Sequence, residues 1–291
     1  MAATEGMIKK ADLAKAREVD YVWRFTDDIR GLMALLNITR PIQVKAGTLL
    51  KAYVTTGELI DGSSVQEGAT IPLSNFKTEV AFTKEASLNK YRKASSAEAI
   101  LKGGYDQAVE DTNKKALAEA HKAIKTSLIS SLTPGSGTTS ATGVGLQKTL
   151  ANAAAKLAIK FEDTDYEAVH FVNPEDLGDY LGNAQISLQS RYGLKYLEDF
   201  LGLGMVIVTS GISKGTTVST AKENIQAYFV NVNEENGLGE VFDFTTDETG
   251  LIGVHTGPTY DNMSVETVMV DGVEFFPERV DGLVVGTITN P

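Results

Sequence analysis

The amino-acid sequence predicts an α+β fold, and three observations support that prediction. Residues 105–132 contain neither glycine nor proline, so they predict one uninterrupted helix of roughly 42 Å. Two strand-like runs, 43–56 and 75–83, flank a segment rich in glycine, which predicts a long β-hairpin. Beyond residue 205 strand-like runs dominate, so helical and strand regions are separated along the chain.

The composition sets broad limits on the class of protein. A chain of 291 residues with 42% hydrophobic residues can bury a substantial core, so a wholly disordered protein is excluded. Cysteine is absent, which excludes disulfides, zinc–thiolate sites and a cysteine nucleophile. No run reaches the ~20 apolar residues of a membrane span, and residues 1–10 lack the apolar core of a secretory signal. We therefore expect a soluble cytoplasmic protein without a membrane partner.

The net charge of −11 is distributed unevenly. Residues 1–132 have a balance of +3, whereas residues 133–291 have a balance of −14. Neutralisation of phosphates by lysine and arginine supplies most of the affinity of nucleic-acid-binding proteins. The acidic balance therefore disfavours tight, direct binding of nucleic acid.

The helix predicted over 105–132 has one narrow apolar stripe. Acid-before-base pairs four residues apart, Glu110 with Lys114 and Asp111 with Lys115, are expected on its solvent side. We expect a long helix with one narrow apolar stripe to lie along a sheet and not at the centre of a large core. The residues at helical spacing on its apolar stripe are Leu117, His121, Ile124, Leu128 and Leu132.

An amphipathic stretch over residues 8–38 predicts a helical segment near the N-terminus. We expect its only tryptophan, Trp23, to be a buried packing residue rather than a ligand-stacking one. A helical segment so early in the chain is also a candidate arm that packs on another subunit. On that interpretation, deletion of residues 1–38 leaves a soluble fold but prevents assembly. The predicted contact residues of the arm are Trp23, Ile29, Leu32 and Leu36.

The hairpin predicted over residues 43–83 has a polar tip, residues 57–72, that contains three glycines and a proline. An isolated two-stranded ribbon is marginal in water, so this one is expected to rest on another surface.

The remaining elements follow from shorter signals. Ser95 and Glu98 form a capping-box pattern for a short helix that ends near residue 103. The glycine- and serine-rich stretch 133–143 predicts a flexible linker and a domain boundary. Further predicted helices are 145–161, 175–181 and 190–200, and further predicted strands are 167–172, 205–209, 225–232, 241–244, 263–270, 272–276 and 283–287.

Three patterns invite a catalytic or ligand-binding interpretation, and none is complete. Residues 211–215 match the G-x-S-x-G elbow with Ser213 as nucleophile and His255 as a candidate base, but strand-like residues follow where a helix is required. The stretch 135–149 resembles a phosphate loop, yet Gln147 stands where glycine must precede the lysine. The three histidines lack metal-ligand spacing. We therefore predict no catalytic residue, no cofactor and no metal.

The order of the elements resembles the major capsid proteins of tailed double-stranded DNA bacteriophages, which have the Hong Kong 97-like fold. Residues 67–83 resemble the descending side of that family's extended loop, and residues 95–132 resemble its short helix and spine helix. Three more segments are similar to family motifs: His170-Phe171-Val172-Asn173-Pro174, the strand 203–208 and the C-terminal segment 275–279.

The resemblance implies a division of the chain and a set of partners. The parts are an N-terminal arm (1–46), an extended β-hairpin loop (47–87), a peripheral domain with the spine helix (88–135), an axial domain (136–239), strands that return to the peripheral domain (240–276) and a C-terminal segment (277–291). The implied function is self-assembly through pentamers and hexamers into an icosahedral virion shell in the bacterial host cytoplasm. A portal, a separate scaffolding protein and weakly contacted enclosed DNA are the other implied partners.

Within this resemblance, charge predicts where the loop of one subunit contacts its neighbour. The acidic tip residues Glu58, Asp61 and Glu67 are expected to face lysines on the solvent side of the long helix. The tip contains no lysine, since Lys51 and Lys77 lie in the stems, and covalent crosslinking of the kind seen in the archetype is therefore not expected. The predicted lysines are Lys114, Lys115, Lys122 and Lys125. An encapsulin-type nanocompartment shell that holds a cargo enzyme is the alternative function, and a serine hydrolase based on Ser213 is a distant one.

Overall fold

The structure is a computed structural model. It describes residues 10–61, 65–66, 69–135, 137–162, 165–182, 188–191, 194–233 and 238–289. Six α-helices lie within this part of the chain: α1 (Lys10–Leu35), α2 (Ala97–Gly103), α3 (Asp111–Leu132), α4 (Gly145–Lys160), α5 (Pro174–Leu181) and α6 (Leu238–Val241).

Strands form four sheets within the described residues. A two-stranded sheet pairs β2 (Leu49–Glu58) with β3 (Asn75–Glu85). One three-stranded sheet has the order β12 (Ile252–Thr259), β13 (Ser264–Asp271), β4 (Asn89–Ser96), and the other has the order β1 (Ile42–Gln43), β11 (Ile225–Phe229), β14 (Val273–Pro277). The seven-stranded sheet has the order β5 (Thr139–Val144), β15 (Val284–Thr289), β10 (Thr216–Ala221), β6 (Ala168–Val172), β9 (Met205–Val208), β8 (Leu194–Leu197), β7 (Gln189–Arg191).

The long helix predicted over 105–132 is confirmed, with one irregularity at its start. Residues Asp106–Glu110 form a π-helical turn that runs directly into α3. Side chains from β4 bind carbonyl groups of this turn: Lys93 Nζ donates to Val109 O at 2.8 Å, and Ser95 Oγ donates to Ala108 O at 2.7 Å. Because a π turn changes the register of helical hydrogen bonds, these side-chain donors stabilise it where β4 crosses the helix.

The main core lies where α1 and α3 pack on the strands. The buried residues of α3 include Leu117, Ile124, Leu128 and Leu132, so the predicted apolar stripe is confirmed. The predicted pair of Asp111 with Lys115 is wrong, because Asp111 pairs with Lys114 at 3.2 Å and Lys115 pairs with Glu119 at 3.1 Å. A second cluster of buried residues lies between the seven-stranded sheet and helices α4 and α5.

A close backbone approach explains one of the sequence motifs. Gly204, directly before β9, has a φ of +114°, and a Cβ atom at this position would lie 2.4 Å from the carbonyl oxygen of Ala168. A side chain is therefore excluded sterically, and glycine is required where β9 starts beside β6.

Several predicted elements are wrong. The second part of the predicted linker 133–143 lies in β5, which pairs in parallel with β15. The helix predicted over 190–200 is instead a hairpin of β7 and β8, and the strand predicted over 241–244 is replaced by α6 and a turn. The short helix α2 is capped by Ser96, whose side chain accepts a hydrogen bond from the amide of Ala99, and Ser95 faces the π turn instead. Strand β12 lacked a recognised signal in the sequence.

Candidate intersubunit surfaces

The outer half of the β2–β3 hairpin presents apolar side chains to solvent. Leu59 is 81% exposed, Leu73 is 90% exposed and Phe76 is 57% exposed. Neither strand pairs with a third strand in the part of the chain that the structure describes. The ribbon is therefore an unpartnered element with an uncovered apolar surface, of the kind that marks a binding interface.

The inner end of the hairpin is tightly packed. Leu50 and Ala52 are buried in the main core, and the ring of Phe82 stacks on Phe276 with 5.2 Å between ring centroids. Lys84 Nζ pairs with Glu274 Oε2 at 2.6 Å and donates to the hydroxyls of two serines on α3 at 2.8 Å each. The expectation that the ribbon rests on another surface is confirmed for this end, where the surface belongs to the same subunit.

The inner face of α1 is buried within its own subunit. Ile29, Leu32 and Leu36 are each at most 2% exposed and belong to the main core. Glu18, also buried, accepts a hydrogen bond from the amide of Thr256 and another from the hydroxyl of Thr245. The prediction that these three apolar residues contact another subunit is corrected, because their side chains are already covered by the chain to which they belong.

The outer face of α1 is the part of this helix that is open to other molecules. Trp23 is 63% exposed, so the predicted burial of its ring is wrong, and Val19 one turn earlier is also exposed. A shallow groove beside Trp23 is lined by Arg24 and Asp28 of α1 and by Lys114 of α3. Trp23 thus stays a predicted intersubunit contact.

The four lysines predicted to receive the hairpin tip differ in environment. Lys114, Lys115 and Lys122 are exposed on α3, as expected for a solvent-facing side. Lys125 is half-buried, and burial lowers its pKa. Of the acidic tip residues, Glu58 and Asp61 are exposed, while Glu67 lies outside the described residues. The predicted attraction between tip and lysines stays a prediction, since it concerns two subunits.

The residues of the candidate hydrolase site lie on different elements of the fold. Ser213 lies in the turn between β9 and β10, and the strand after this turn replaces the helix that a nucleophile elbow requires. His255 lies on β12, where its Nδ1 is 3.1 Å from the carbonyl oxygen of Asp243. The geometry therefore gives no support for Ser213 as a nucleophile.

The two buried histidines have structural partners. His170 is paired with the hydroxyl of Ser219 at 2.7 Å and with the carbonyl of Leu203 at 3.0 Å, and burial lowers its pKa. His121 lies 3.2 Å from Asp28 and stacks on Phe25; burial lowers its pKa, and the charge of Asp28 opposes that shift. Among the described residues, no group of three or more histidine, aspartate or glutamate side chains could hold a metal ion. No described helix has the length and hydropathy needed to cross a bilayer.

This architecture is similar to that of several solved structures, although no match was found from the sequence. No protein-family model matches the chain, and no curated protein matches its sequence. A virus-like particle from Pyrococcus furiosus has a TM-score of 0.54 at 13% identity, over 91% of this chain and 97% of that chain. The capsid of an empty GTA particle has a TM-score of 0.52 at 11% identity, over 99% and 95% of the two chains. A Mycobacterium phage Che8 structure has a TM-score of 0.51 at 11% identity, over 82% and 84%.

These similarities define the fold of the chain. It is a mixed α+β fold of the class found in capsid and other shell proteins. This confirms the Hong Kong 97-like fold of tailed-phage major capsid proteins that the order of elements predicted.

Proposed function

We propose that the chain is a structural shell protein, the major capsid protein of a tailed double-stranded DNA bacteriophage. The exposed outer hairpin is the observation that carries this proposal. Its leucines and Phe76 remain in water in a single subunit, and burial of each such side chain in an interface contributes about 1.5–3 kcal/mol. A shell of identical copies covers the same ribbon on every subunit, so repeated small contacts add up to a stable particle.

The proposed division into domains follows the sheets. The seven-stranded sheet corresponds to the proposed axial domain, and the return of the C-terminal β15 to this sheet supports the assignment of the last residues to it. Strand β11, however, pairs with β14 and β1 outside that sheet, so the chain leaves the seven-stranded sheet at residues 222–224. This pairing supports an end of the proposed axial domain earlier than residue 239, the end that the resemblance implied. Pentamers and hexamers, a scaffolding protein and a portal complete the proposed assembly.

Charge supports enclosure of a genome without tight binding. The balance of −14 over residues 133–291 makes close contact with DNA phosphates unfavourable. A shell that must later release its genome benefits from such weak contact, so the proposed role of the protein is containment.

Electron microscopy of the purified full-length chain tests the shell proposal. We expect closed particles of uniform diameter, and light scattering that reports a mass many times the 31.2 kDa of one chain. A monodisperse monomer or small oligomer under all assembly conditions would contradict the proposal. Production together with the neighbouring genes of its genome provides the control for a missing scaffolding protein.

A nanocompartment shell with an enzyme cargo is the second candidate, because a shell of this fold could enclose either kind of content; a chain of similar fold forms a virus-like particle of Pyrococcus furiosus. The contents of native particles distinguish the two candidates. Nuclease-protected DNA of one length supports the capsid, whereas particles that hold a single co-purifying enzyme and no DNA support the compartment. On either proposal the protein itself is not an enzyme, and Ser213→Ala leaves assembly unchanged.

A further inference from the structure

A cluster of ionisable side chains lies where the hairpin joins the rest of the subunit. We call residues 45–50 and 84–89 the hairpin root. The root is closed by backbone bonds from Gly47 N to Ala86 O and from Ala86 N to Thr48 O, both of 2.8 Å. Lys84 ties the root to Glu274 of β14 and to α3, while Asn89 begins β4. The root therefore connects the exposed ribbon with two sheets and the long helix.

Asp271 is a buried carboxyl group at this junction. It is 1% exposed, lies at the end of β13 and pairs in register with Asn89. Asn89 Nδ2 donates to Asp271 Oδ1 at 2.8 Å, but Asp271 Oδ2 is buried and has no hydrogen-bond partner within the described part of the chain. A carboxylate with one unpaired buried oxygen is costly, whereas the neutral acid avoids most of that cost.

The surrounding charges also favour the neutral acid. Tyr91 of β4 and Glu274 of β14 interact electrostatically with this group. Glu274 forms an ion pair with Lys84 of β3, which also donates hydrogen bonds to two serines of α3. Burial raises the pKa of Asp271 to about 6; the hydrogen bond from Asn89 and the amide of Val273 oppose this shift, and the charge of Glu274 adds to it. Burial and the same two carboxylates raise the pKa of Tyr91 to about 12, so its hydroxyl stays protonated.

We propose that Asp271 makes the hairpin root sensitive to pH, so that the neutral acid holds the start of β4 on β13 and the carboxylate loosens this connection. The position of Asp271 explains how its protonation state could affect the hairpin. Its hydrogen-bond partner Asn89 lies four residues beyond the end of the hairpin, so loosening at this pair is transmitted to the orientation of the ribbon. A change of pH would thereby alter how freely the ribbon moves relative to the subunit, whether or not it docks on another copy.

The direction of the effect follows from linkage. The closed root binds a proton with a pKa of about 6, whereas an exposed aspartate has a pKa of 3.8, so protons favour the closed state. Stability of the root is complete at acidic pH and is lost as pH rises through about 6. The two pKa values give an opening equilibrium constant that increases about tenfold between pH 5 and pH 8.

Hydrogen–deuterium exchange of the purified full-length chain tests the proposal. After correction for the intrinsic pH dependence of exchange, we expect protection of peptides over residues 84–92 to fall about tenfold from pH 5 to pH 8. Helix α4 (Gly145–Lys160) has no acidic residue and provides the internal control, with protection that does not change. Asp271→Asn, which cannot titrate, should remove the pH dependence of the root.

A third measurement separates titration from a merely structural role. Asn89→Leu removes the donor to the carboxylate, so the midpoint of the exchange transition should move to higher pH. Wild-type protection that is constant from pH 5 to pH 8 would overturn the proposal, as would an undiminished pH dependence in Asp271→Asn. If Asp271→Asn does not fold, an unchanged midpoint in Asn89→Leu is the decisive contrary result.

Discussion

Helix α1 and the β2–β3 hairpin were both expected to extend from the subunit toward neighbours. In the structure, α1 packs into its own subunit, whereas the outer half of the hairpin is exposed. The apolar face of α1 is buried in its own subunit, where Phe25 and Leu36 are fully covered. The outer half of the hairpin buries almost nothing, and Leu73 remains 90% exposed. Both segments contain enough apolar residues for an interface; the outer hairpin leaves most of them exposed, whereas α1 leaves mainly Trp23 and Val19 exposed.

The difference shows what an amphipathic pattern can indicate. A stripe of apolar residues at helical spacing shows that one face is buried, but it does not show which molecule covers that face. Exposed apolar residues on an isolated ribbon carry more information, because a two-stranded ribbon lacks a core of its own. Substitutions in the two regions should therefore affect two different quantities, the stability of the subunit and the yield of assembled shells.

The largest expected effect is in α1. Phe25→Ala removes a fully buried ring that stacks on His121 with 4.8 Å between ring centroids, and it should lower the free energy of unfolding by about 3–5 kcal/mol. Urea unfolding of dissociated subunits measures this loss. For the same reason, deletion of residues 1–38 is now expected to cause aggregation instead of leaving a soluble fold. An equally stable Phe25→Ala variant would show that α1 does not belong to the core of its own subunit.

The second effect concerns assembly. The triple variant Leu59→Ser, Leu73→Ser, Phe76→Ser removes apolar area that the subunit itself does not bury, so each change should alter the unfolding free energy by less than about 0.5 kcal/mol. The yield of shells should fall at least about tenfold, since each tenfold change requires only about 1.4 kcal/mol of lost contact. Sedimentation measures the yield.

Thr55→Ser is the matched control in the same hairpin, because it keeps the hydroxyl that pairs with Thr78 at 2.9 Å. It should assemble like the wild type. If the triple variant gave the wild-type yield of shells, these three hairpin residues would not form an interface between subunits.

A smaller effect is expected at the outer face of α1. Trp23→Ala should leave the unfolding free energy within about 0.5 kcal/mol of the wild type, because the ring is largely exposed, and it should reduce shell yield only partly. The neighbouring Val22 is buried, so Val22→Ala provides the contrast: a less stable subunit. A large loss of subunit stability in Trp23→Ala would contradict the assignment of its ring to the outer surface.

The smallest effect is electrostatic. Reversal of Glu58, Asp61 and Glu67 to lysine should impair assembly more at low salt than at high salt, because salt screens the new repulsion from the lysines of α3. Each exposed pair contributes only about 0–1 kcal/mol, so the effect depends on repetition around the shell. Sedimentation across a salt series measures it, and a yield equal to that of the wild type at every salt concentration would leave the tip acids with a role in solubility alone.

Local signals determined much of the secondary structure. The absence of glycine and proline over 105–132 was sufficient for the long helix, since nothing within it interrupts helical hydrogen bonding. The hairpin followed from two strand-like runs separated by breakers. Where the signal was weak, the predictions failed. Residues 190–200 were predicted to form a helix, but β7 pairs with β8 and β8 pairs with β9, which lies outside the predicted segment.

By itself, the sequence determined the α+β class, the long helix, the hairpin and the absence of cysteine chemistry, because each depends on neighbours along the chain. Only the tertiary structure decided that α1 packs inside its own subunit, that residues 139–144 form a strand on β15, and that Asp271 lies buried opposite Asn89. Each of these features depends on residues that are more than one hundred positions apart, and periodicity within a segment does not show which distant residues will contact it. The covering of an apolar face is a property of the whole fold.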